Sequence, residues 1–566
     1  MSQEPKKMDR RKFVYAGLGA AVIIVAGAAV YLGTRPATTT TIFSTVPTTT
    51  TLTKSTTSTT TLTSATTATT TVTAPTTTTA TSTYVVQAGL PPTATITSGP
   101  YWGVTLVAYM DSGHNYEPFA QNNGYVRDEL GIILEPVADV LANHYAACMR
   151  DWQAAASGSP PTYDIVVLEP VWNGAFMQGG YLLQLDNYLD SIKDEIGEPY
   201  RNDYNHISPN FRKLYDEWGG NVYAYTEDGD TTNLYYRKDV LTDPTNQANF
   251  KAKVGYDLPA PPTTWDQFYD VAKFFSGWDW GGVGKPCYGL TGLTGPWDVT
   301  DIQATFLGLF GSFSQGKMMF DENMTPQINN DTGVAVLNYM QKLLSDCMMP
   351  GYLSLAWDTM FAQFIGGQAL MAITYGDIGR LVLNSGTFAG NSKFINEPSL
   401  IGYNVWPAPS ENAKHFCSVM GGRIIGVSKY TTQPDAAVAA MLKMSDERHA
   451  INYVSDVLSG EDPMYDDYFD MTKTKWNINV DQNWLNIVPK CQVVGYPDHV
   501  IPGAAEYYNE IAIEATNFIT GKMDATTALS TAEKNFNTIT AKYGLDSQVA
   551  AWKNFLANAR SLGYPV

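Results

Sequence analysis

A threonine-rich tract divides this chain into a part that cannot fold alone and a part that can. Residues 37–83 are mostly Thr with interspersed Ser, Ala and Pro. This composition has too few large apolar side chains to bury a core. We therefore expect a disordered stalk over residues 34–97, either stiffened by O-linked glycans or acting as a bare spacer, and a folded domain from residue 98 onward.

The residues ahead of the tract predict export and attachment to a membrane. Residues 1–12 form a basic head, and residues 13–33, FVYAGLGAAVIIVAGAAVYLG, carry no charge and are long enough to span a bilayer. The Arg10-Arg11 pair is typical of a twin-arginine export signal. An ordinary uncleaved anchor and a cleaved signal peptide are the alternatives. In the anchored form the protein is single-pass, and its C-terminal domain lies outside the cell.

Charge and cysteine spacing exclude several classes of partner. The formal net charge of -19 argues against nucleic acid, because phosphates are bound by clustered Lys and Arg. Five cysteines are scattered without the spacing of a zinc site, and their pairing stays open. We expect no metal and no cofactor. Asn323 and Asn330 each begin an N-glycosylation sequon.

Apolar strands and amphipathic helices alternate after the tract, which predicts an α/β fold. The predicted strands span 104–109, 163–168, 369–374 and 423–428, and the predicted helices span 141–156, 265–275, 333–344, 436–444 and 525–543.

Six segments, taken in order, carry a resemblance to a known family. They are YDIVVL (163–168) with GGYLLQLD (179–186), NLYYRKDV (233–240), PTTWDQF (262–268), GGQALMAI (366–373), VWPAP (405–409) and GGRIIGVS (421–428). This series resembles the family 1 extracellular solute-binding proteins, which are maltose-binding-like receptors of ABC sugar importers, in their membrane-anchored prokaryotic, archaeal type. The chain departs from the family pattern at Arg237, where Asn is usual, and at Asp377, where many members have Trp.

The resemblance implies a two-lobed, periplasmic-binding-protein-like α/β fold of type II, with three hinge crossings. It places residues 98–227 and 374–420 in the N-lobe, and residues 228–373 and 421–566 in the C-lobe. The crossings are then expected near residues 225–230, 374–377 and 419–422. A solute bound in the cleft between the lobes would favour the closed state.

Candidate ligand-binding residues follow from what a sugar offers, namely apolar C–H faces and many hydroxyl groups. Aromatic platforms and hydrogen-bonding carboxylates suit these two features, and glycines suit a hinge. The aromatic candidates are Trp172, Trp297 and Tyr375; the carboxylates are Asp111, Glu169, Asp230 and Asp377; the glycines are Gly421 and Gly422. A core position is the alternative for each aromatic residue, and a helix cap, loop charge or ordinary turn is the alternative for the others.

The sequence thus predicts a non-enzymatic receptor that delivers a carbohydrate, in particular an oligosaccharide, to an ABC importer. Its expected partners are the sugar, the permease subunits and the membrane, and the part outside the cell is expected to be a monomer. A receptor for a peptide or another polar nutrient is one alternative. A stalked structural or adhesion protein and a glycoside hydrolase are the others; the hydrolase needs a pair of carboxylates, and no spacing marks one.

Overall fold

The computed structural model describes residues 99–566, except 114–115, 293–301 and 356, together with four short strands of the threonine tract. The chain divides into two compact units, Met1–Ala94 and Thr95–Val566. In the first unit, Thr41–Ser44 pairs with Ala68–Thr71 and Thr50–Thr53 pairs with Thr59–Leu62, both antiparallel. The stalk was predicted to lack regular structure, so these strands are a difference from the prediction. They are consistent with the preference of threonine for strands. The basic head, the predicted anchor and the rest of the predicted stalk lie outside the described residues.

The second unit contains all of the following elements, numbered within it. The strands are β1 (Thr105–Asp111), β2 (Ile133–Asp139), β3 (Ile165–Leu168), β4 (Glu217–Trp218), β5 (Asn221–Val222), β6 (Tyr225–Asp228), β7 (Asn233–Arg237), β8 (Tyr288–Gly292), β9 (Ala369–Thr374), β10 (Ile401–Asn404), β11 (Cys417–Met420), β12 (Arg423–Val427) and β13 (Gly495–Pro497). The helices are α1 (Glu117–Leu130), α2 (Leu141–Ala156), α3 (Pro170–Gln178), α4 (Asp186–Ser191), α5 (Tyr200–His206), α6 (Pro209–Phe211), α7 (Lys238–Thr242), α8 (Pro244–Val254), α9 (Trp265–Phe274), α10 (Ile302–Ser314), α11 (Asp331–Cys347), α12 (Trp357–Ile365), α13 (Asp377–Leu381), α14 (Pro434–Ser445), α15 (Glu447–Val454), α16 (Gln482–Leu485), α17 (Val488–Val494), α18 (Ala504–Ile519), α19 (Ala525–Tyr543) and α20 (Leu545–Ser561).

The first sheet has five strands in the order β6-β12-β3-β1-β2. Strand β1 runs parallel to β2 and β3, whereas β12 is antiparallel to both β3 and β6. Every residue of β3 is buried, as expected for a central strand that reads as a continuous apolar run. Helices α1, α2 and α14 pack around this sheet. The parallel strands end together, and residues that follow them are therefore brought to one edge.

The second sheet has four strands in the order β8-β9-β7-β10. Strand β9 is parallel to β8 and antiparallel to β7, and all six of its residues are buried. Helices α9, α11 and α12 pack against β8. The Thr264 hydroxyl caps α9 by accepting a hydrogen bond from the Gln267 amide, which explains why this helix begins where the sequence predicted.

Strand pairing corrects the predicted boundary between the lobes. Residues 374–420 were assigned to the N-lobe, yet β10 pairs with β7 in the second sheet. Residues 421–566 were assigned to the C-lobe, yet β12 pairs with β3 and β6 in the first sheet. Both strands are short and apolar, and such strands carry no local signal for the sheet they join.

The chain passes between the two sheets at residues 229–232 and 405–422. A third crossing, residues 455–481, leads from α15, which packs on α1 and α14, to α16, which packs on β10 of the second sheet. The first and second agree with the predicted crossings near 225–230 and 419–422. The predicted crossing at 374–377 is wrong, because the chain leaves β9 and returns to the same sheet through β10. The third crossing instead follows α15, where a loop carries Glu461 and Asp462.

Two further expectations can be compared with the described residues. None of the helices described here is both long and apolar enough to cross a membrane. All five cysteines are buried free thiols, and those of Cys417 and Cys491 contact each other.

Candidate functional site

The edge of the first sheet brings together two of the predicted carboxylates. Asp111 ends β1 and Glu169 follows β3, and both are buried. Arg423, the first residue of β12, lies between them. Its Nε is 3.0 Å from an Asp111 oxygen, and its Nη1 is 3.4 Å from a Glu169 oxygen. The buried ring of His144 approaches Asp111 from α2, with Nδ1 at 3.4 Å.

The first crossing adds more acidic groups beside this arrangement. Glu227 and Asp228 end β6, and Asp230 follows Gly229; all three carboxylates are buried. Gly422 lies directly against this crossing, with φ of +92°, and a Cβ there would be 2.2 Å from the Asp228 carbonyl oxygen. The first two crossings are therefore in backbone contact, and only glycine permits that approach.

Arg380 organises a second group of carboxylates beside the third crossing. Its Nη2 is 2.7 Å from an Asp377 oxygen, and its Nε is 3.4 Å from an Asp462 oxygen. The same guanidinium donates to the carbonyls of Asp456 and Ser459 in the third crossing. The Asp462 amide in turn donates to the Asp228 carboxylate at 2.7 Å. This network joins the loop of the third crossing to the first crossing.

Together these residues form one buried acidic cluster. Its carboxyl groups are each at least nine-tenths buried, and they are Asp111, Glu169, Glu227, Asp228, Asp230, Asp377, Glu461 and Asp462. Two guanidinium groups, Arg380 and Arg423, face them. Charge interactions connect the two halves, because Asp228 lies near both Arg423 and Asp377.

The cluster has more negative than positive groups, and the pKa values reflect this excess. Burial, followed by repulsion from neighbouring carboxylates, raises the pKa values of Glu227, Asp230, Asp377 and Glu461 well above their ordinary values. Burial also raises the pKa of Asp228 and that of Asp462 to about 7. Such a cluster holds protons unless it binds a cation. Its carboxylate oxygens can accept hydrogen bonds from hydroxyl groups, and its protonated carboxyls can donate to them.

The aromatic candidates occupy different surroundings. Trp172 lies in the first turn of α3, is 5 % exposed, and its ring centroid is 6.3 Å from those of His144 and Tyr145. Tyr375 directly follows β9, and its ring faces Gly421, where an added Cβ would lie 3.1 Å from Cε1. Trp297 lies outside the described residues.

Sequence reasoning predicted part of this site and missed part of it. The structure brings Asp111 and Glu169 together around Arg423, places Asp230 and Asp377 beside Asp462, and packs Tyr375 on Gly421. The missed residues are His144, Glu227, Asp228, Arg380, Arg423, Glu461 and Asp462. Arg423 had a usable signal, since it follows the glycine pair, but an acidic pair in a loop such as 461–462 has none.

The family described as bacterial extracellular solute-binding protein matches residues 149–447. Among solved structures, an ABC transporter solute-binding protein from Agrobacterium radiobacter K84 in complex with ribitol has a TM-score of 0.61 and 18% identity, over 78% of this chain and 100% of that chain.

Two further solved structures are similar in the same way. Maltose-bound MalE3 of T. maritima has a TM-score of 0.59 and 17% identity, over 77% of this chain and 100% of that chain. The GacH receptor of Streptomyces glaucescens, studied unliganded and with acarbose, has a TM-score of 0.57 and 16% identity, over 78% and 100%. At these identities the likeness concerns the fold, and it confirms the predicted two-lobed α/β architecture.

Proposed function

This chain belongs to the family of bacterial extracellular solute-binding proteins, and we propose that it captures a carbohydrate outside the cytoplasm and delivers it to an ABC importer. The family is one of binding proteins and not of enzymes, so the glycoside hydrolase alternative has no support. Structures of similar fold hold ribitol, maltose and acarbose. These solutes share a dense array of hydroxyl groups.

The observation that carries the proposal is the convergence of acidic side chains from both sheets at the crossings. Asp111 and Glu169 come from the first sheet, and Asp377 follows a strand of the second. A solute that hydrogen-bonds both sets of carboxyls binds the closed arrangement better than the open one, and this preference drives closure. The rings of Trp172 and Tyr375 would supply apolar surface for the C–H faces of the sugar.

The proposal for the remaining partners rests on the N-terminal sequence and on the family. The uncharged run at residues 13–33 would anchor the protein as a single-pass membrane protein, exported by the twin-arginine route, and the threonine tract would hold the receptor away from the membrane. The closed receptor, a monomer, would then engage permease subunits. Protease treatment of intact cells would test this arrangement, because a receptor held outside is released while its basic head stays protected.

The experiment that tests solute capture is thermal unfolding against a panel of mono- and oligosaccharides, polyols, peptides and other polar nutrients. A solute that binds only the native state raises the melting temperature saturably. We expect this rise for a carbohydrate, with loss of the rise in Asp111→Asn.

Asp139→Asn is the matched control for this variant. Asp139 ends the neighbouring strand β2 and lies directly opposite Asp111 in the register, but the Tyr109 hydroxyl, the Val140 amide and the Asn143 amide already donate to it. This variant should keep the rise. A rise with peptides alone would favour the peptide receptor, and a folded protein that self-assembles and responds to no solute would favour the structural surface protein.

A further inference from the structure

Three carboxylates of the acidic cluster lie closer together than the rest. Asp230, Asp377 and Asp462 each offer one oxygen, and these three oxygens lie within 4.8 Å of one another. They come from three separate parts of the chain, namely the first crossing, the first turn of α13 and the loop of the third crossing. Their exposed fractions are 9 %, 1 % and 1 %, so bulk water does little to screen their mutual repulsion.

Each of the three also has a buried oxygen with no donor group among the other described residues, and the carboxyls of Asp230 and Asp462 lie within hydrogen-bond range of each other. These atoms are Asp230 Oδ1, Asp377 Oδ2 and Asp462 Oδ2. Nearby in the chain, the buried oxygens Thr231 Oγ1, Asn233 Oδ1 and Thr374 Oγ1 likewise have no partner in the described part of the chain. Buried oxygens without donors are costly, and a ligand that accepts their lone pairs would remove the cost.

Arg380 does not neutralise this group. Its guanidinium pairs with one oxygen of Asp377 and more distantly with one oxygen of Asp462, and Asp230 has no ion pair with any described residue. One positive charge thus faces three carboxylates. The excess negative charge can be neutralised in two ways. The carboxyls of Asp230 and Asp462 can share a proton, or a cation can bind between the three side chains.

We propose that Asp230, Asp377 and Asp462 bind a divalent cation, and that this cation is calcium. Two oxygens bound to one calcium ion at about 2.4 Å can be at most about 4.8 Å apart, and the three oxygens satisfy this limit. The ligands are all hard oxygen atoms, with no sulfur or imidazole among them, which favours calcium over transition metals. Calcium also tolerates the irregular geometry of side chains drawn from separate loops better than magnesium does.

The cation would have a structural consequence for the two sheets. Its ligands lie on the first crossing, on the third crossing and next to the strand β9, so a bound ion would fasten the connections between the sheets. The cation would share Asp230 and Asp377 with the proposed solute site, but its binding does not depend on which solute the cleft accepts. It can therefore be tested in the absence of any solute.

The test uses the full chain in mild detergent, stripped of metal with a chelator and returned to chelator-free buffer. Titration with CaCl2 is followed by isothermal calorimetry and by thermal unfolding, with MgCl2 as a comparison. We expect saturable binding of one calcium ion per chain, a rise in melting temperature, and weaker binding of magnesium.

Asp230→Asn is the primary variant, because it removes one ligand charge without breaking the pairs of Arg380. We expect at least a tenfold loss of calcium affinity and a higher melting temperature than the wild type in the metal-free state. Asp462→Asn serves as a second variant if circular dichroism shows that the first is unfolded. The matched control is Asp216→Asn, since Asp216 is equally buried but accepts hydrogen bonds from Thr226 at both oxygens; its calcium affinity should be unchanged.

Three results would overturn the proposal. One is a folded wild-type protein that gives no calorimetric signal and no rise in melting temperature with calcium. Another is equal calcium binding by wild type and Asp230→Asn. The third is stabilisation by an organic polyamine such as spermidine but not by calcium. That result would mean that the three carboxylates bind an organic ammonium group and not a metal ion. Carbohydrate titrations in calcium-saturated and calcium-free buffer are scored separately, so failure of either proposal is visible without the other.

Discussion

Replacing Gly422 by alanine tests whether the backbone contact between the first two crossings holds the two sheets together. Gly422 has φ of +92°, a conformation that costs an L-residue roughly 1–2 kcal/mol. The new Cβ would also lie 2.2 Å from the Asp228 carbonyl oxygen and 3.2 Å from the Asp230 amide nitrogen. These neighbours are backbone atoms that cannot rotate away, and a forced shift of this kind costs about 1–3 kcal/mol.

We therefore expect Gly422→Ala to lower the free energy of unfolding by about 2–5 kcal/mol. The matched control is Gly521→Ala, because Gly521 also has positive φ, +74°, but an added Cβ there meets no atom within 4 Å. The control should lose only about 1–2 kcal/mol. Urea denaturation followed by far-UV circular dichroism measures both values on the same chain.

The difference between the two variants isolates the close approach from the cost of the backbone conformation. If Gly422→Ala and Gly521→Ala lose the same stability, the contact between the crossings contributes nothing and does not hold the two sheets together. A larger loss in Gly422→Ala should be accompanied by weaker solute binding, because the displaced backbone includes Asp228 at the end of β6 and Asp230 in the first crossing.

Three further predictions concern other parts of the molecule. Burial, with repulsion from Asp446, raises the pKa of Asp203 from 3.8 to about 7. Because the folded state binds this proton more tightly than the unfolded state, the protonated Asp203 contributes its full stabilisation below about pH 4, and this contribution is lost as the pH rises to about 7. Asp203→Asn should flatten that part of a pH–stability profile. If sequons are occupied, peptide mass spectrometry should find glycan on Asn323 and not on Asn330, because the Asn330 amide donates to the Gln327 carbonyl and its oxygen caps α11. Asp524 caps α19 by accepting from the Thr527 amide, so Asp524→Ala should lower the melting temperature through a loss of about 1 kcal/mol, which Asp524→Ser should largely restore.

Much of the secondary structure could be predicted because local patterns determine it. Helices over 141–156 and 525–543 and the strand 369–374 occur with the predicted bounds. Their apolar periodicity, or continuous apolar run, is complete within the segment itself. The assignment of β10 and β12 to sheets failed for the opposite reason, since hydrogen-bond partners distant in the chain decide it.

The candidate site shows the same division between local and distant information. Asp111, Glu169, Asp230 and Asp377 could be named as candidates because each lies at the end of a strand or next to a crossing predicted from the sequence. Arg380 and Asp462 were missed, since they are 82 residues apart in the chain and only their contact in the folded protein marks them as part of the site. Nothing in the neighbourhood of either residue reports the other.

By itself, the sequence determined that residues beyond the threonine tract form an α/β protein, which segments are helices and strands, and which family the chain resembles. These properties depend on composition and on spacings of a few residues. Only the tertiary structure decided which strands share a sheet, where the third crossing runs, and that eight carboxyl groups from distant segments are buried together with two guanidinium groups. Burial changes the charge state of such groups through desolvation and mutual repulsion, and both depend on distances in space that the order of residues does not contain.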